Sequence, residues 1–202
     1  MKVLDYSTIA KDDHIGLYRL RYINRAGKTD AWTVASREAN GPKCCTGRLR
    51  SADAVVVVPY HRERKQLAII REFRVALGGY QYGFPAGLVD PDETIQEAAS
   101  RELAEETGLR VVGFLASSPV LFTSSGITDE SVVMVYLDCT GTPSDAGNSP
   151  SEQIETHFVS PTEAKGLCQE ESALMDVKTW LVLASFSLTG ALLIEKWGGT
   201  AD

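Results

Sequence analysis

This sequence has few positively charged residues, and its apolar runs are shorter than a membrane-spanning helix requires. Its 202 residues carry 20 Lys and Arg against 27 Asp and Glu, a formal net charge of -7. Nucleic acid selects for basic surfaces, so this balance argues against nucleic acid as the main partner. The apolar run WLVLASFSLTGALLI (180–194) has about fifteen residues, whereas a membrane-spanning helix needs ~20. We therefore expect no membrane span.

Cysteine is also rare, and its spacing excludes the common metal fingers. The four cysteines form no CxxC pair and no metal-finger spacing with the three histidines. The neighbours Cys44 and Cys45 are interpreted as two reduced thiols in a loop rather than as a disulfide. The first residues lack the apolar core of a signal peptide. These absences favour a cytoplasmic protein, and 44% hydrophobic residues provide for a sizeable core.

Apolar periodicity predicts strands at the front of the chain and helices interspersed later. Alternating residues predict strands at 15–24 and 31–37, and the run AVVVVPY (54–60) predicts a strand covered on both faces. Further strands are predicted at 67–73, 111–115, 131–137 and 155–159, with 84–89 as a strand end passing into a loop. Helices are predicted at 94–107, 161–168 and within 172–197. Residues 77–82 are expected to be irregular and 138–151 a long loop. This order predicts an α+β fold.

The segment GLVDPDETIQEAASRELAEETGL (87–109) concentrates carboxylates on a predicted helix. Residues three and four apart share a helix face, so Glu102, Glu105 and Glu106 converge. Like charges at this spacing cost about 0.2–0.5 kcal/mol per pair. A hard divalent cation would offset that cost, and Mg²⁺ prefers oxygen ligands completed by substrate phosphates. The alternative is an ordinary solvated acidic face.

Gly87, Glu93 and the run RELAEETGL (101–109) resemble the Nudix box at its defining positions. The resemblance implies an α/β/α sandwich that hydrolyses a nucleoside diphosphate linked to another group. It implies that Gly87 permits a sharp loop and that Glu93 supports the loop. It also implies that Arg101 orients one of the glutamates rather than contacting the substrate.

The same resemblance assigns the metal ligands. Glu102 and Glu106 would be the principal ligands, and the carbonyl of Ala86 would face the metal. Glu105 would be an additional ligand or the base. The implied cofactor is Mg²⁺, with Mn²⁺ as a substitute.

The surroundings of the box resemble the ADP-ribose and ADP-sugar pyrophosphatases. The run IIREFRVALGGYQYGFPAGLVD (69–90) resembles their segment before the box, which would place Arg74 on the substrate phosphates. A surface arginine is the alternative. The stretch SSGITDE (124–130) resembles their serine-proline-glycine loop and makes Glu130 a candidate substrate contact. Two residues depart from this resemblance: Ser125 stands in place of proline and Gly83 in place of glutamate. Both weaken the prediction of ADP-ribose as the substrate and leave the wider class of nucleoside diphosphate sugars.

A carboxylate on a loop after the box completes the metal site or acts as base in this subfamily. The strand pattern of SEQIETHFVS (151–160) places Glu152 there, with Glu155 as second choice. An exposed loop acid is the alternative for Glu152. We expect this loop to order when metal and diphosphate bind.

Enzymes of this subfamily tend to be dimers that exchange their N-terminal sheets. Residues 1–50 are predicted as a strand extension and dimerisation element, and 51–202 as the Nudix domain. The extension carries more apolar residues than a peripheral hairpin needs, namely Leu17, Tyr18, Leu20, Tyr22 and Trp32. We predict a homodimer in which Arg37 reaches the neighbour's diphosphate, with a solvated strand end as the alternative for Arg37.

The combined prediction is an enzyme that acts on ADP-ribose or a related nucleoside diphosphate sugar. It would release a nucleoside monophosphate and a sugar phosphate. One alternative is a Nudix hydrolase of another nucleoside diphosphate derivative. The other is a non-catalytic Nudix ligand sensor, which turnover of a nucleotide sugar would distinguish.

Overall fold

Three antiparallel strands form the first sheet: β1 (Lys2–Lys11), β2 (Gly16–Ile23) and β3 (Thr29–Ser36), in the order β1-β2-β3. They belong to a computed structural model that describes residues 1–150, 153–192 and 194. β2 and β3 correspond to the predicted strands, whereas β1 was not predicted. All ten residues of β1 are exposed, so its sequence carries no pattern of buried positions.

One face of this sheet passes from buried to exposed along its length. Tyr18 and Val34 pair across β2 and β3 and are buried, and Tyr6 packs edge-on against Tyr18 with ring centroids 5.5 Å apart. Further along the same face, Val3 and Trp32 are 40% and 51% exposed. We call the exposed part the apolar sheet face, and it consists of Val3, Leu20, Tyr22 and Trp32.

The second sheet has the strand order β11-β5-β4-β10-β8, with β6 on β5, β7 on β4 and β9 on β10. Its strands are β4 (Ala54–His61), β5 (Gln66–Arg74), β6 (Gly79–Gly83), β7 (Ala86–Leu88), β8 (Arg110–Ser117), β9 (Leu121–Phe122), β10 (Ser131–Thr140) and β11 (Ile154–Val159). Residues 55–58 of β4 are all buried, which confirms that this run is covered on both faces.

Four helices accompany the strands in the described residues. They are α1 (Lys43–Thr46), α2 (Ile95–Thr107), α3 (Pro161–Gln169) and α4 (Val177–Thr189). None of them is both long and apolar enough to cross a bilayer. Strands and helices are mixed along the chain, so the predicted α+β class is confirmed.

Several predicted boundaries are wrong in detail. Residues 79–83 form β6 instead of an irregular segment, because their backbone pairs with β5 from Ile70 to Arg74. The loop predicted from 138 begins only at Gly141, since 138–140 continue β10. The last described helix occupies 177–189 of the predicted 172–197, and residues 193 and 195–202 lie outside the described part. Cys44 and Cys45 lie on the helical turn α1.

Backbone contacts divide the chain into two units. The first consists of Met1–Ala54 and Pro119–Val133, and the second of Val55–Ser118 and Met134–Asp202. Within the first unit, the returning segment is bound to β3: the amide of Ala35 donates to the Ile127 carbonyl at 2.9 Å, and the Trp32 indole donates to the Gly126 carbonyl at 3.2 Å. The second unit contains α2 with its carboxylates.

Candidate active site

Helix α2 begins and ends where its own sequence dictates. The Thr94 hydroxyl accepts from the Glu97 amide at 3.2 Å, and the Glu97 carboxylate accepts from the Thr94 amide at 2.8 Å. This reciprocal pair satisfies two helix-terminal amides. Gly108 ends the helix in the left-handed conformation at φ +70°. Ala99 and Leu103 are fully buried, so the helix is fixed in rotation as well as in length.

Two of the three clustered glutamates are buried. Glu102 is 8% exposed and Glu106 is 7% exposed, whereas the Glu105 side chain is 52% exposed. The Glu106 carboxylate accepts a hydrogen bond from the Ala86 amide at 3.2 Å. The helix therefore directs Glu102 and Glu106 to its covered side and keeps Glu105 at the rim. A solvated acidic face does not describe this arrangement.

Gly87 leaves room for the Glu102 carboxylate, which lies against it. A β-carbon built at Gly87 would overlap the carboxylate of Glu102. Gly87 lies within the extended strand β7, and it has no positive φ. The expected sharp loop is therefore absent here, and the glycine permits close approach instead.

Arg101 binds several of the acidic groups at once. Its Nε and Nη2 donate to the two oxygens of Glu93 at 2.9 and 2.8 Å, and Nη1 donates to Glu102 at 2.6 Å and Glu105 at 3.3 Å. Nη2 also donates to the Leu88 carbonyl at 2.9 Å. The hydrogen bond to Glu93 raises the pKa of Arg101, and the same bond lowers the pKa of Glu93.

The donor types of this cluster fit a hard divalent cation. Carboxylate and carbonyl oxygens are what Mg²⁺ selects, and Glu102, Glu105 and Glu106 supply them within two helical turns. Over residues 1–150, 153–192 and 194, no three His, Cys, Asp or Glu side chains already surround one point suited to a metal ion. In this structure Arg101 is the cation that joins Glu102 and Glu105.

Arg74 lies at the end of β5 and has a partner that sequence reasoning missed. Its Nη2 is 2.9 Å from the Glu72 carboxylate, and its side chain is 48% exposed. The two residues are two apart on one strand, so the alternation of side chains places them on the same face. The two-residue period of a strand could therefore have predicted Glu72 as a neighbour of Arg74.

Arg37 and Glu130, two predicted substrate contacts, form an ion pair in the first unit. Arg37 Nε lies 2.6 Å from Glu130 Oε1, and the side chains are 35% and 27% exposed. The Thr123 hydroxyl is a further neighbour, 3.3 Å from Glu130 Oε2. The residues are 93 positions apart in sequence, so no local pattern could have paired them.

Of the two residues predicted as the base, the structure describes only the second. Glu152 lies outside the described residues. Glu155, the second choice, lies on β11, where it accepts from Arg71 Nη1 at 3.3 Å and lies 3.6 Å from His157 Nε2. Its carboxylate is thus engaged by two side chains of the same sheet.

The loop between β10 and β11 contacts the end of α2. The Ser144 amide donates to the Thr107 carbonyl at 2.9 Å. A β-carbon at Gly147 would lie 2.5 Å from the Glu105 carbonyl oxygen, so the loop backbone approaches the helix very closely there. This contact places part of the loop beside the acidic helix.

Comparisons with known proteins agree with the motif. The NUDIX domain profile matches residues 50–178. The ADP-sugar pyrophosphatase of Mus musculus is 31% identical over 144 residues, 69% of this chain and 61% of that protein. The ADP compounds hydrolase NudE of Escherichia coli K12 is 38% identical over 112 residues, 50% of this chain and 59% of that protein. The matches therefore span about three fifths of each relative's length.

A solved structure resembles the whole chain. The crystal structure of an ADP compounds hydrolase superimposes with a TM-score of 0.69 at 22% identity, covering 94% of each chain. At this identity the likeness concerns the fold, and it extends to nearly the full length.

Proposed function

Because this chain belongs to the Nudix family, we propose that it is a metal-dependent pyrophosphohydrolase of ADP-ribose or a related nucleoside diphosphate sugar. One observation carries the proposal. Two buried carboxylates, Glu102 and Glu106, lie on one side of α2, and Gly87 makes room for the first of them. Burial of two carboxylates on one helix face is costly, and Arg101 supplies a single positive charge that Glu102 and Glu105 share, so this oxygen-rich cluster supports a divalent cation site.

Nudix hydrolases generally use divalent metals, and we assign Mg²⁺ here, with Mn²⁺ as a substitute. Glu102, Glu106 and the carbonyl of Ala86 would hold the ion, with Glu105 as an additional ligand or as the base. When bound, it supplies neutralising charge for the diphosphate and a lower pKa for coordinated water. Arg101 would hold the Glu102 carboxylate in place through its 2.6 Å hydrogen bond.

The substrate class follows from the relatives and from the cationic side chains. The matched proteins are named for ADP-sugar and ADP compounds. Arg74, half-exposed at the end of β5, would bind the diphosphate. Arg37 would reach the diphosphate bound by a neighbouring subunit, and Glu130, 2.6 Å from Arg37, would orient it and contact the same substrate.

The reaction adds one water across the diphosphate. The water oxygen forms a bond to one phosphorus, the bridging P–O bond breaks, and a carboxylate takes the water proton. Glu105 is the described candidate for this base because it lies at the exposed rim of the cluster. Glu152 is the second candidate. The products are a nucleoside monophosphate and a sugar phosphate.

We further propose a cytoplasmic homodimer. All four cysteines are free, which suits a reducing compartment. The apolar sheet face supports dimerisation, because Val3 and Trp32 leave large hydrophobic side chains in solvent on a sheet whose outer strand is unpaired on one edge. A second copy would cover this face.

Substitution of Glu106 tests the catalytic proposal. The wild-type protein with Mg²⁺ should hydrolyse at least one nucleoside diphosphate sugar in a screen with products identified by mass. Glu106→Gln removes one charge with little change of shape, and we expect kcat to fall by about 100-fold or more. Glu97→Gln is the matched control on the same helix, since Gln also serves in a capping box.

Two results would refute the proposal. Retention of more than about a tenth of kcat in Glu106→Gln corresponds to less than ~1.4 kcal/mol of barrier and excludes a principal ligand. Failure of the wild type to turn over any sugar nucleotide, with binding retained, would favour the ligand sensor.

A further inference from the structure

The short helix α1 places two thiols side by side on the surface. The Sγ atoms of Cys44 and Cys45 are 3.8 Å apart, and both residues are exposed. The other two cysteines differ: Cys139 is buried and Cys168 is partly buried. The pair is also remote in sequence from the acidic helix and is not used by the proposed hydrolysis.

The helical turn α1, which carries the pair, is held in place by the buried Lys43. Lys43 is fully buried, and its Nζ lies 2.7 Å from Asp53 Oδ2, 2.6 Å from Ser131 Oγ and 2.7 Å from the Ser51 carbonyl. Its amide donates to Asp129 Oδ2 at 2.7 Å. A backbone held in this way fixes the two sulfurs before any ligand arrives, which lowers the entropic cost of binding.

The sulfur separation of 3.8 Å is that of two reduced thiols in contact, and it also matches two bonds to a shared central atom. A tetrahedral centre with bonds of about 2.3 Å to sulfur holds two sulfurs ~3.8 Å apart. A pyramidal trivalent centre with bonds of similar length holds them slightly closer.

The number of available ligands decides which central atom fits. Structural zinc takes four protein ligands, and the described part of the chain offers no group of three His, Cys, Asp or Glu at this place. An organic arsenical in the trivalent state carries one carbon and needs only two further bonds. Sulfur is a soft donor and prefers such soft acceptors.

We propose that the Cys44–Cys45 pair is a binding site for trivalent organoarsenicals and equivalent soft electrophiles that take two thiolates. An arsine oxide R–As=O reacts with the two thiols to give R–As(S)₂ and one water. Two As–S bonds form, the As=O bond breaks, and the oxygen leaves with both thiol protons. No electrons are transferred, so no oxidant is needed.

The protonation of the pair sets it apart from a generally reactive thiol. Cys44 is exposed as a residue, but partial desolvation of its thiol raises the pKa to about 11, and the adjacent Cys45 adds to the effect. Alkylating reagents require a thiolate, so Cys44 should react slowly with them near neutral pH. The arsine oxide removes both protons as water in the exchange itself and gains from two simultaneous bonds.

Phenylarsine oxide is the probe for this site. Native mass spectrometry of the full chain should show one phenylarsenic group per chain, removed by ethane-1,2-dithiol and retained in an equimolar monothiol. Cys44→Ser and Cys45→Ser should each weaken binding by about 100-fold or more, because either change removes the chelate. Cys168→Ser is the control and should bind as the wild type does.

The two serine variants are independent, so a folding defect in one leaves the other decisive. Circular dichroism identifies such a defect. The proposal is overturned if the wild type takes up no arsenical, or if a folded Cys44→Ser or Cys45→Ser variant retains dithiol-reversible binding.

Discussion

A β-carbon at position 87 would fall inside the carboxylate of Glu102. At the scale of single residues the candidate site therefore depends on a missing side chain as much as on those present. The backbone of Gly87 is extended, so the constraint is steric and local to this contact. The Glu102 carboxylate would have to move if that space were filled.

Substitution of Gly87 should separate catalysis from folding. In Gly87→Ala the methyl group displaces Glu102, and we expect kcat on the preferred sugar nucleotide to fall by ~100-fold, with a higher Mg²⁺ requirement. Gly113→Ala is the matched control, because Gly113 also lies on a strand and a β-carbon there meets nothing within 4 Å. Equal activity of the two variants would show that Glu102 does not need its observed position.

Sequence spacing predicts local residue groups well and distant ones poorly. The glutamates of α2 were predictable because helical geometry joins residues three and four apart. The different burial of Glu105 and Glu106 was not, since it depends on how the helix is rotated against the sheet. The Arg37–Glu130 pair joins residues 93 positions apart and needs the folded first unit.

At the scale of elements, the ends of α2 and α3 were predicted closely, whereas α1 was missed and α4 begins at 177 rather than 172. Both α2 and α3 begin with a capping box, and Ser160 and Glu163 form the one on α3. Strands were predicted where one face is buried. They were missed where exposure is uniform, as in β1, or where glycine and tyrosine obscure the alternation, as in β6.

The capping box of α3 gives a pH prediction. The hydrogen bond from Ser160 lowers the pKa of Glu163 from its ordinary value of 4.5. A carboxyl with a lowered pKa in the folded state adds stability that is complete above 4.5 and is lost as the pH falls through the folded-state value. The Tm of the wild type should therefore be higher than the Tm of Glu163→Gln at pH 6, and this difference should shrink below pH 4.5.

The Ser160→Ala background controls for loss of surface charge. There the Glu163→Gln substitution should produce a smaller pH-dependent change, because the main cause of the lowered pKa has been removed. A Tm difference that grows as the pH falls would contradict the assigned sign.

At the scale of the whole molecule, the apolar sheet face has no described covering. It continues from the buried pair Tyr18 and Val34 to the exposed Val3 and Trp32. The strand β1 pairs with β2 along one edge and leaves its other edge open. In the proposed homodimer, a second copy would cover the apolar side chains and the open edge of the described sheet together.

Charge placed on this face should prevent dimerisation. We expect the wild type to sediment as a dimer at micromolar concentration and Val3→Glu to sediment as a monomer with reduced turnover. Ser7→Glu is the matched control, since Ser7 pairs with Arg19 on the opposite face of the same strand. Deletion of residues 1–50 should abolish both dimerisation and activity.

A wild-type monomer with full turnover would contradict this assembly. It would also remove any role for Arg37 across subunits and leave it as the partner of Glu130 within its own chain.

Most polar contacts of α2 lie within residues 86–108, and the Ser144 amide adds one from the loop between β10 and β11. Thr94 starts it, Gly108 ends it, Arg101 neutralises its acids, and Gly87 admits Glu102. The residues that form these contacts are therefore close together in sequence. Few of the contacts require a matching substitution elsewhere in the chain. For that reason the segment 87–109 alone is enough to recognise the family of this chain.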